Sequence, residues 1–327
     1  MPELPEVETV RRQLAPRMQG RVLRELEVLD PRWCAPAPPG EVADAARGRR
    51  IERVERRGKY LLVGLAGGAQ PDRRSGEHRT EVAGGAQPDR RSGEHRTEVF
   101  PDEVALVMHL RMTGTLLLVA GHDHPPERPH LRARLELDDG HRVLFCDQRR
   151  FGTGEVLLGA AAVNDYFDSR LGIEPLSPDF TTEALRALAR GRKAPVKAFL
   201  LSQERIAGVG NIYADEALFR AGLHPLRPVG TLRPGQIAAL RDAVVESLEA
   251  GIDARGATID DFRHADGARG SFQDRFLVHR REGEPCPRCG SPIRKLRAAG
   301  RGTYVCPRCQ PLPRARRSPA SALPRKM

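Results

Sequence analysis

The sequence has few aromatic residues and no long apolar run. Phe, Trp and Tyr make up 5% of the 327 residues. No segment approaches the roughly 18 consecutive apolar residues that a transmembrane helix needs, so we expect no membrane association. The first ten residues carry three glutamates and no basic leader, which argues against a secretory signal and favours a cytoplasmic protein. A chain of this length can form two domains, each with its own core.

Acidic residues are scarce in the C-terminal sixth of the chain. Residues 271–327 contain 14 Lys and Arg but only 3 Asp and Glu, whereas the first 270 residues contain 40 of each sign. The net charge of +11 therefore lies entirely at this end, which indicates a surface that binds a polyanion. The composition of 311–327 predicts a basic disordered tail, but a solubilising tail does not explain the basic residues that precede it.

Cysteine is also rare, and four of the six cysteines form one pattern. The spacing C-x2-C-x16-C-x2-C joins Cys286, Cys289, Cys306 and Cys309. Without a secretory signal this spacing predicts tetrahedral zinc; the alternative, paired disulfides, needs an oxidising compartment. Four thiolates leave no open position for catalysis, so we expect one structural Zn²⁺. Cys34 and Cys146 are predicted to be ordinary partly buried thiols.

The apolar pattern changes from strands to helices along the chain. An apolar stripe predicts a helix over 5–18, and short apolar runs bounded by Gly, Pro and Asp then predict a β-sandwich domain over 1–158. Its clearest strands are 60–65, 104–110, 115–119 and 141–145. Helices are predicted over 183–190, 195–203, 212–220 and 234–250, followed by a Gly- and Asp-rich loop over 253–273. The fold class is thus α+β multidomain: a β-sandwich with flanking helices, a helical domain over 159–273 and a β-hairpin zinc finger over 274–310.

One segment inside the β domain is duplicated. The 17 residues AGGAQPDRRSGEHRTEV at 66–82 recur unchanged at 83–99. This polar, Gly-rich composition cannot form an apolar core, so 66–99 is predicted to be a flexible surface insertion between two strands.

The N-terminus carries a candidate nucleophile. Methionine is normally removed before a small residue such as proline, which would leave Pro2 with a secondary amine. An α-amine titrates near pH 8, so a useful fraction is neutral and nucleophilic at physiological pH. Attack of this amine on an aldehyde-like carbon gives an iminium ion that accepts electrons from adjacent bonds. Glu3, directly beside Pro2, can act as a general acid or base, and Glu6 lies one helical turn away.

Long, ordered motifs throughout the chain resemble those of the formamidopyrimidine-DNA glycosylases, a bacterial family of bifunctional glycosylase/lyases. The resemblance covers nearly the whole chain except 66–99 and the tail after Cys309. The motifs are MPELPEVETVRRQL at the N-terminus, RRGKYLL (56–62), HLRMTG (109–114), DQRRFG (147–152), LGIEPL (171–176), KAFLLSQERIAGVGNIYADEALFRAGLHP (197–225), GATIDDFRHADGARGSFQ (256–273) and the cysteine module.

The resemblance implies roles for the catalytic residues. Pro2 resembles the Schiff-base nucleophile that attacks C1′ of the damaged nucleotide. Glu3 resembles the acid that protonates the sugar ring oxygen, with Glu6 as a supporting carboxylate. Lys59 resembles a catalytic lysine that approaches the lesion and its phosphates, and Arg301 resembles the zinc-finger arginine that contacts the DNA backbone beside the lesion.

It also implies DNA-binding residues. Met112, Arg149 and Phe151 match the side chains that fill the gap left by a flipped nucleotide, where apolar wedges replace lost stacking and a guanidinium pairs with the estranged cytosine. Lys197 and Asn211 match the phosphate clamp of a helix–two-turn–helix domain. The loop 256–273 corresponds to a lid over the flipped base.

Several residues differ from the usual family pattern. Arg111 and Thr113 stand where the family usually has Gly and Ser, Gln148 replaces a proline, and Ser271 replaces an aromatic residue. These departures leave the implied catalytic groups in place and bear on lesion preference.

The residues and the resemblance together predict a monomeric DNA glycosylase with AP-lyase activity. Its partner would be double-stranded DNA containing 8-oxoguanine or formamidopyrimidines, and zinc its only cofactor. One alternative is an endonuclease VIII-type enzyme for oxidised pyrimidines, against which the PELPEVE start and the Met112, Arg149 and Phe151 set argue. The other is a non-catalytic lesion-binding zinc-finger protein, which would have no need of Pro2, Glu3 and Glu6.

Overall fold

The computed structural model of the protein describes residues 2–66, 104–121, 128–259 and 262–312. Two predictions lie largely outside these ranges. They are the flexible duplicated insertion, of which only Ala66 is described, and the basic tail, which is described only to residue 312. Within the predicted lid, residues 260 and 261 also lie outside the described ranges.

The N-terminal helix α1 spans Leu4–Met18, as its apolar stripe predicts. Pro5 lies in the first turn, where its missing N–H costs no helical hydrogen bond, and Glu6 complements the positive end of the helix dipole. The stripe formed by Val7, Val10 and Leu14 is fully buried. Burial of this stripe fixes the start of the chain against the body of the protein.

Eight described strands form one antiparallel sheet in the order β5-β7-β6-β1-β2-β3-β4-β8. They are β1 (Val22–Val28), β2 (Arg49–Arg57), β3 (Tyr60–Leu65), β4 (Val104–His109), β5 (Gly114–Val119), β6 (Leu131–Leu137), β7 (Arg142–Asp147) and β8 (Thr153–Leu158). Only two residue pairs join β1 to β2, so the sheet divides there into two halves of four strands.

The two halves enclose one apolar core. Leu26 and Phe145 from one half share a buried cluster with Val63 and Met108 from the other, and residues of α1 join them. This arrangement is the predicted β-sandwich. Two helices flank it, α2 (Pro39–Ala46) and α3 (Gly159–Asp168).

Strand register brings three loops to one end of the sandwich. Tyr60 pairs with His109, which pairs with Thr153 on its other side. Gly114 pairs with Asp147. The turn that holds Lys59, the β4–β5 turn and the loop before β8 therefore lie side by side.

The helical domain contains four described helices packed around a second apolar cluster. They are α4 (Thr182–Ala189), α5 (Val196–Leu201), α6 (Asn211–Arg220) and α7 (Pro234–Asp253), each overlapping its predicted span. The Thr181 hydroxyl caps α4 by accepting a hydrogen bond from the Ala184 N–H at 3.0 Å. Leu4 of α1 also packs into this cluster, so the N-terminus lies between the two domains.

A two-stranded hairpin forms the C-terminal unit. It consists of β9 (Arg294–Ala298) and β10 (Arg301–Val305), as predicted for a zinc finger. Among the described residues, no helix is both long and apolar enough to cross a membrane.

Candidate active site

Glu3 and Glu6 lie at the start of α1, next to Pro2. Both carboxylates are almost fully buried, and the Glu3 backbone N–H donates to Oε2 of Glu6 at 2.8 Å. The peptide unit between Pro2 and Glu3 is thus held by the first turn of the helix. This contact explains why two glutamates spaced three residues apart follow the proline.

Glu6 also joins two other parts of the chain. Its Oε1 accepts hydrogen bonds from the Tyr213 hydroxyl and from the Ala257 N–H, each at 2.7 Å. Burial, with a smaller contribution from the charge of Glu3, raises the pKa of Glu6 above its usual range. Glu6 therefore connects the N-terminus, α6 and the beginning of the predicted lid.

Glu3 is held by the N-terminus of α6. Its Oε1 accepts a hydrogen bond from the Ile212 N–H at 3.1 Å, where the helix dipole favours a negative charge. A Cβ on Gly210 would lie 2.1 Å from the Glu3 carboxyl carbon, so only glycine allows this approach. Oε2 of Glu3 is buried without a hydrogen-bond partner among the described residues, which leaves an oxygen for proton transfer.

Lys59 follows Gly58 in the tight turn between β2 and β3. Glu174, from the LGIEPL motif, accepts hydrogen bonds from the Gly58 N–H and, at 2.9 Å, from the Arg56 guanidinium. The turn is therefore fixed from outside the sheet. The Lys59 side chain is 6% exposed, and burial lowers its pKa, although the Glu3 charge acts in the opposite direction. Lys59 thus belongs to the same electrostatic environment as Glu3.

Lys197 is fully buried. Its ammonium group donates to Asp215 Oδ1 at 2.6 Å, to the Thr303 hydroxyl at 2.7 Å and to the Gly302 carbonyl at 3.3 Å. Burial lowers the pKa of Lys197, and Asp215 opposes that shift. In this structure Lys197 therefore connects α5 and α6 to the zinc hairpin and does not present its charge at the surface, as a phosphate clamp would.

Asn211 contacts the same hairpin. Its side-chain amide donates to the Gly302 carbonyl at 3.1 Å. Arg301, the residue before Gly302, is exposed and contributes to the lowered pKa of both Lys59 and Lys197. Asn211 and Lys197 thus hold the backbone that presents Arg301.

Met112, Arg149 and Phe151 form an exposed group at the loop end of the sandwich. Met112 and Phe151 are 41% and 48% exposed, so both large apolar side chains are available at the surface. The Arg149 guanidinium lies over the Phe151 ring, 4.9 Å from its centroid. We call these three residues the wedge group.

His109 is a buried residue of this region that was not among the sequence candidates. Its Nδ1 accepts a hydrogen bond from the Arg111 N–H at 2.9 Å, and its ring packs edge-on to Tyr60. Burial, together with the charges of Arg111 and Lys59, lowers the pKa of His109 to about 3. The imidazole is therefore neutral, with Nε2 as its donor. Its place in HLRMTG was the signal that could have identified it.

A cavity of about 580 Å³ lies between the predicted lid and the linker to the zinc hairpin. Thr258 and Ile259 line one side, and Phe276 and His279 line the other. Thr258, which lines the cavity, directly follows Ala257, whose N–H donates to Glu6. Its size lies within the range of small-molecule and base-binding pockets.

The four clustered cysteines fit a zinc ion. Their Sγ atoms all lie within 4.8 Å of one another, with separations of 3.9 Å for Cys286–Cys309 and 3.5 Å for Cys289–Cys306. Tetrahedral Zn–S bonds of about 2.3 Å require sulfur separations of about 3.8 Å. Disulfide bonds would be about 2.05 Å long, and all six cysteines are free. The donor set is that of one structural Zn²⁺, which would hold the hairpin beneath Arg301.

Comparison with known proteins agrees with this arrangement. Models of the formamidopyrimidine-DNA glycosylase N-terminal domain, of its H2TH domain and of a zinc finger found in FPG and IleRS match residues 1–154, 171–263 and 283–312. The formamidopyrimidine-DNA glycosylase of Chloroflexus aggregans is 42% identical over 313 residues, covering 95% of this chain and 99% of its own length. The chain belongs to the formamidopyrimidine-DNA glycosylase family.

Solved structures of the family have the same fold. The MutM (Fpg) protein of Thermus thermophilus has a TM-score of 0.74 and 39% identity, covering 94% of this chain and 98% of its own. The Lactococcus lactis Fpg bound to DNA containing an abasic site has a TM-score of 0.77 and 30% identity, covering 94% and 99% of the two chains.

Two departures from the usual glycosylase pattern have structural consequences. Arg111 has a φ of +52°, a left-handed conformation that suits the glycine usual there. Thr113 replaces serine without loss of its hydroxyl function: Oγ1 donates to Asp147 and accepts from the Arg149 N–H at 3.2 Å. Thr113 therefore couples the turn of Met112 to the loop of Arg149.

Proposed function

We propose that the protein excises oxidised purines, namely 8-oxoguanine and formamidopyrimidines, from double-stranded DNA and then cleaves the strand through a Schiff base at Pro2. The observation that carries this proposal is the fixed position of Glu3. Its backbone is bound by Glu6 and its carboxylate by the N-terminus of α6, directly beside Pro2. The similarity to family members, including one bound to abasic-site DNA, supports the same chemistry.

The first step uses the amine that removal of Met1 exposes. The Pro2 nitrogen forms a bond to C1′ as the bond between C1′ and the damaged base breaks; the amine loses its proton, and the departing base takes one up. Glu3 donates a proton to the ring oxygen, so the sugar opens and the bond to Pro2 becomes an iminium ion. Glu6, whose raised pKa reflects burial next to Glu3, keeps the N-terminal peptide in position during this change.

Strand cleavage follows from the iminium ion. Loss of a C2′ proton sends electrons to the iminium and expels the 3′ phosphate, which is β-elimination. A second elimination then expels the 5′ phosphate and leaves a one-nucleotide gap. Lys59 and Arg301 provide positive charge beside the expelled phosphates, where such groups stabilise developing negative charge.

The wedge group would replace the flipped nucleotide in the duplex. Met112 and Phe151 supply apolar surface in place of lost stacking, and Arg149 pairs with the estranged cytosine. The cavity beside Thr258 would receive the flipped base. Each proposed catalytic group comes from this one chain, so we propose a monomer acting on chromosomal DNA in the cytoplasm.

The test compares the wild-type protein with Glu3→Gln on lesion duplexes. We expect wild-type protein to release 8-oxoguanine opposite cytosine, and Glu3→Gln to keep DNA affinity while base release falls by about 10²- to 10⁴-fold. Release of thymine glycol in preference to 8-oxoguanine would identify an endonuclease VIII-type enzyme instead. Binding without base release by wild-type protein would identify a non-catalytic lesion-binding protein.

A further inference from the structure

The loop that carries two wedge residues has a strained residue at its centre. Arg150 lies between Arg149 and Phe151 and has a φ of +59°. A left-handed backbone is strained for a residue other than glycine, so the surroundings of Arg150 must hold it in place. The backbone dihedral angles of Arg150 set the relative directions of the side chains on either side of it. The conformation of Arg150 therefore determines the directions of the Arg149 and Phe151 side chains.

One buried carboxylate holds the backbone of this loop. Oδ2 of Asp147 accepts hydrogen bonds from the N–H groups of Phe151 and Gly152 at 2.8 and 2.7 Å, and Oδ1 accepts from that of Arg149 at 3.2 Å. The Arg150 N–H is not part of this set of contacts. Asp147 therefore fixes the backbone on both sides of Arg150.

A second carboxylate holds the Arg150 side chain. Oδ2 and Oδ1 of Asp30 accept hydrogen bonds from Nε and Nη2 of Arg150 at 2.6 and 2.8 Å, a bidentate geometry. Asp30 is only 4% exposed and also accepts from the Arg32 N–H at 3.2 Å. The Arg32 backbone and the Arg150 side chain therefore both hold this carboxylate.

Arg132 links the two carboxylate residues. Its Nε donates to the Asp147 carbonyl at 2.9 Å, and Nη1 lies 3.8 Å from Asp30 Oδ2. Thr113 extends the network to the Met112 turn through its hydrogen bond to Asp147. All three wedge residues are thus attached to one hydrogen-bonded framework.

We propose that Asp30 is a positioning residue for insertion of the wedge group into the DNA duplex. It acts through its bidentate ion pair with Arg150, which holds the loop of Arg149 and Phe151 in the conformation needed for insertion. This inference rests on the proposed function, because it assumes that the wedge group enters the duplex. Neither Asp30 nor the Arg150 side chain needs to touch DNA for this role. Loss of the ion pair would let the loop relax from its left-handed turn, so that Arg149 and Phe151 would have to be ordered during each insertion event.

The role predicts a difference between two substrates. A duplex with 8-oxoguanine opposite cytosine requires wedge insertion, whereas a single-stranded oligonucleotide with an abasic site has no opposite base and no stack to replace. The reaction at Pro2 is the same in both. A defect in positioning therefore appears on the duplex and not on the single strand.

The experiment measures single-turnover base release on the duplex and borohydride trapping on the single strand for Asp30→Asn and Arg150→Gln. Misplaced groups commonly lower rates by one to two orders of magnitude, so we expect duplex rates to fall about tenfold and single-strand trapping to change less than about twofold. Asp30→Glu should restore part of the duplex rate. The matched control is Asp44→Asn, which removes an exposed carboxylate 3.3 Å from Arg47 and should leave both reactions unchanged.

Two results would overturn the inference. Duplex rates equal to wild type for both variants would show that the ion pair does not position the wedge group. Equal losses on duplex and single strand would show a general structural defect, which thermal unfolding of the same samples would register. If wild-type protein were inactive on both substrates, the proposed function itself would fail. That outcome is seen with wild-type protein alone and is therefore distinct from a failure of the role proposed for Asp30.

Discussion

The backbone nitrogen of Glu3 donates a hydrogen bond to the side chain of Glu6 across 2.8 Å. The contact joins the peptide beside Pro2 to a carboxylate that also binds Tyr213 and Ala257. The β domain, the helical domain and the start of the lid therefore meet at one side chain. The geometry of the nucleophile depends on the packing of all three.

We expect Glu6→Gln to lower base release by about 100-fold, because loss of precise positioning commonly has effects of this size. A glutamine has one acceptor oxygen and one donor nitrogen, so it cannot accept from the Glu3 N–H, the Tyr213 hydroxyl and the Ala257 N–H together. Single-turnover kinetics on an 8-oxoguanine duplex measures the effect. Glu246→Gln, which alters an exposed ion pair with Arg220, is the control. Undiminished release by Glu6→Gln would contradict this role.

Lys197→Met should destabilise the protein by about 3–5 kcal/mol, because it removes the ammonium group from the buried Asp215 carboxylate and leaves the His279 imidazole, 2.9 Å from Oδ2, as its remaining side-chain partner among the described residues. The double variant Lys197→Met/Asp215→Asn should recover part of this loss, since it removes the uncompensated charge. Urea unfolding of Lys197→Met, Asp215→Asn and the double variant measures the coupling free energy between Lys197 and Asp215. A Lys197→Met protein with wild-type stability and weaker DNA binding would favour a direct phosphate contact instead.

The lowered pKa of His109 predicts a loss of stability in acid. Above pH 6.5 the ring is neutral in both the folded and the unfolded states, so its contribution is fully present. Between pH 6.5 and about 3 the unfolded state binds a proton that the folded state does not, and stability falls by up to about 1.4 kcal/mol per pH unit. The measurement compares urea unfolding of wild type and His109→Asn at pH 7 and pH 5, because the difference between the two proteins isolates the contribution of His109. Identical pH dependence would argue against a buried neutral imidazole.

Arg111→Gly should stabilise the fold by roughly 0.5–1 kcal/mol, because glycine adopts the left-handed conformation without strain. Arg111→Ala keeps the Cβ and removes the charge, so it should not produce this gain. Chemical unfolding of both variants separates the backbone effect from the charge effect. Equal stability changes in the two variants would assign the effect to charge.

Much of the fold follows from local patterns in the sequence. The stripe of Val7, Val10 and Leu14 predicts α1, and continuous apolar runs predict β3 and β4. Other elements lacked such signals. Helix α2 begins at Pro39 and Gly40, which is a typical turn sequence, and α3 follows β8 directly with Leu158 in the capping position, where no side chain marks a helix start.

The site was less predictable than the fold. The motifs selected Glu3, Glu6 and Lys59, and the structure brings the carboxylates of Glu3 and Glu6 together. Sequence alone could not show that Lys197 is buried, because its partners, Asp215 and Thr303, lie 18 and 106 residues away. The contact between Asp30 and Arg150 could not be predicted for the same reason, since the two residues are 120 positions apart in the sequence.

In the proposed reaction Pro2 becomes a covalent nucleophile beside Glu3. Borohydride trapping on a duplex with 8-oxoguanine opposite cytosine tests it most directly, using protein whose N-terminal methionine has been removed. We predict a covalent protein–DNA adduct whose peptide map places the DNA on Pro2, and no adduct after chemical blocking of the N-terminal amine. An adduct of equal yield with the blocked protein, or one that maps to Lys59, would contradict the account.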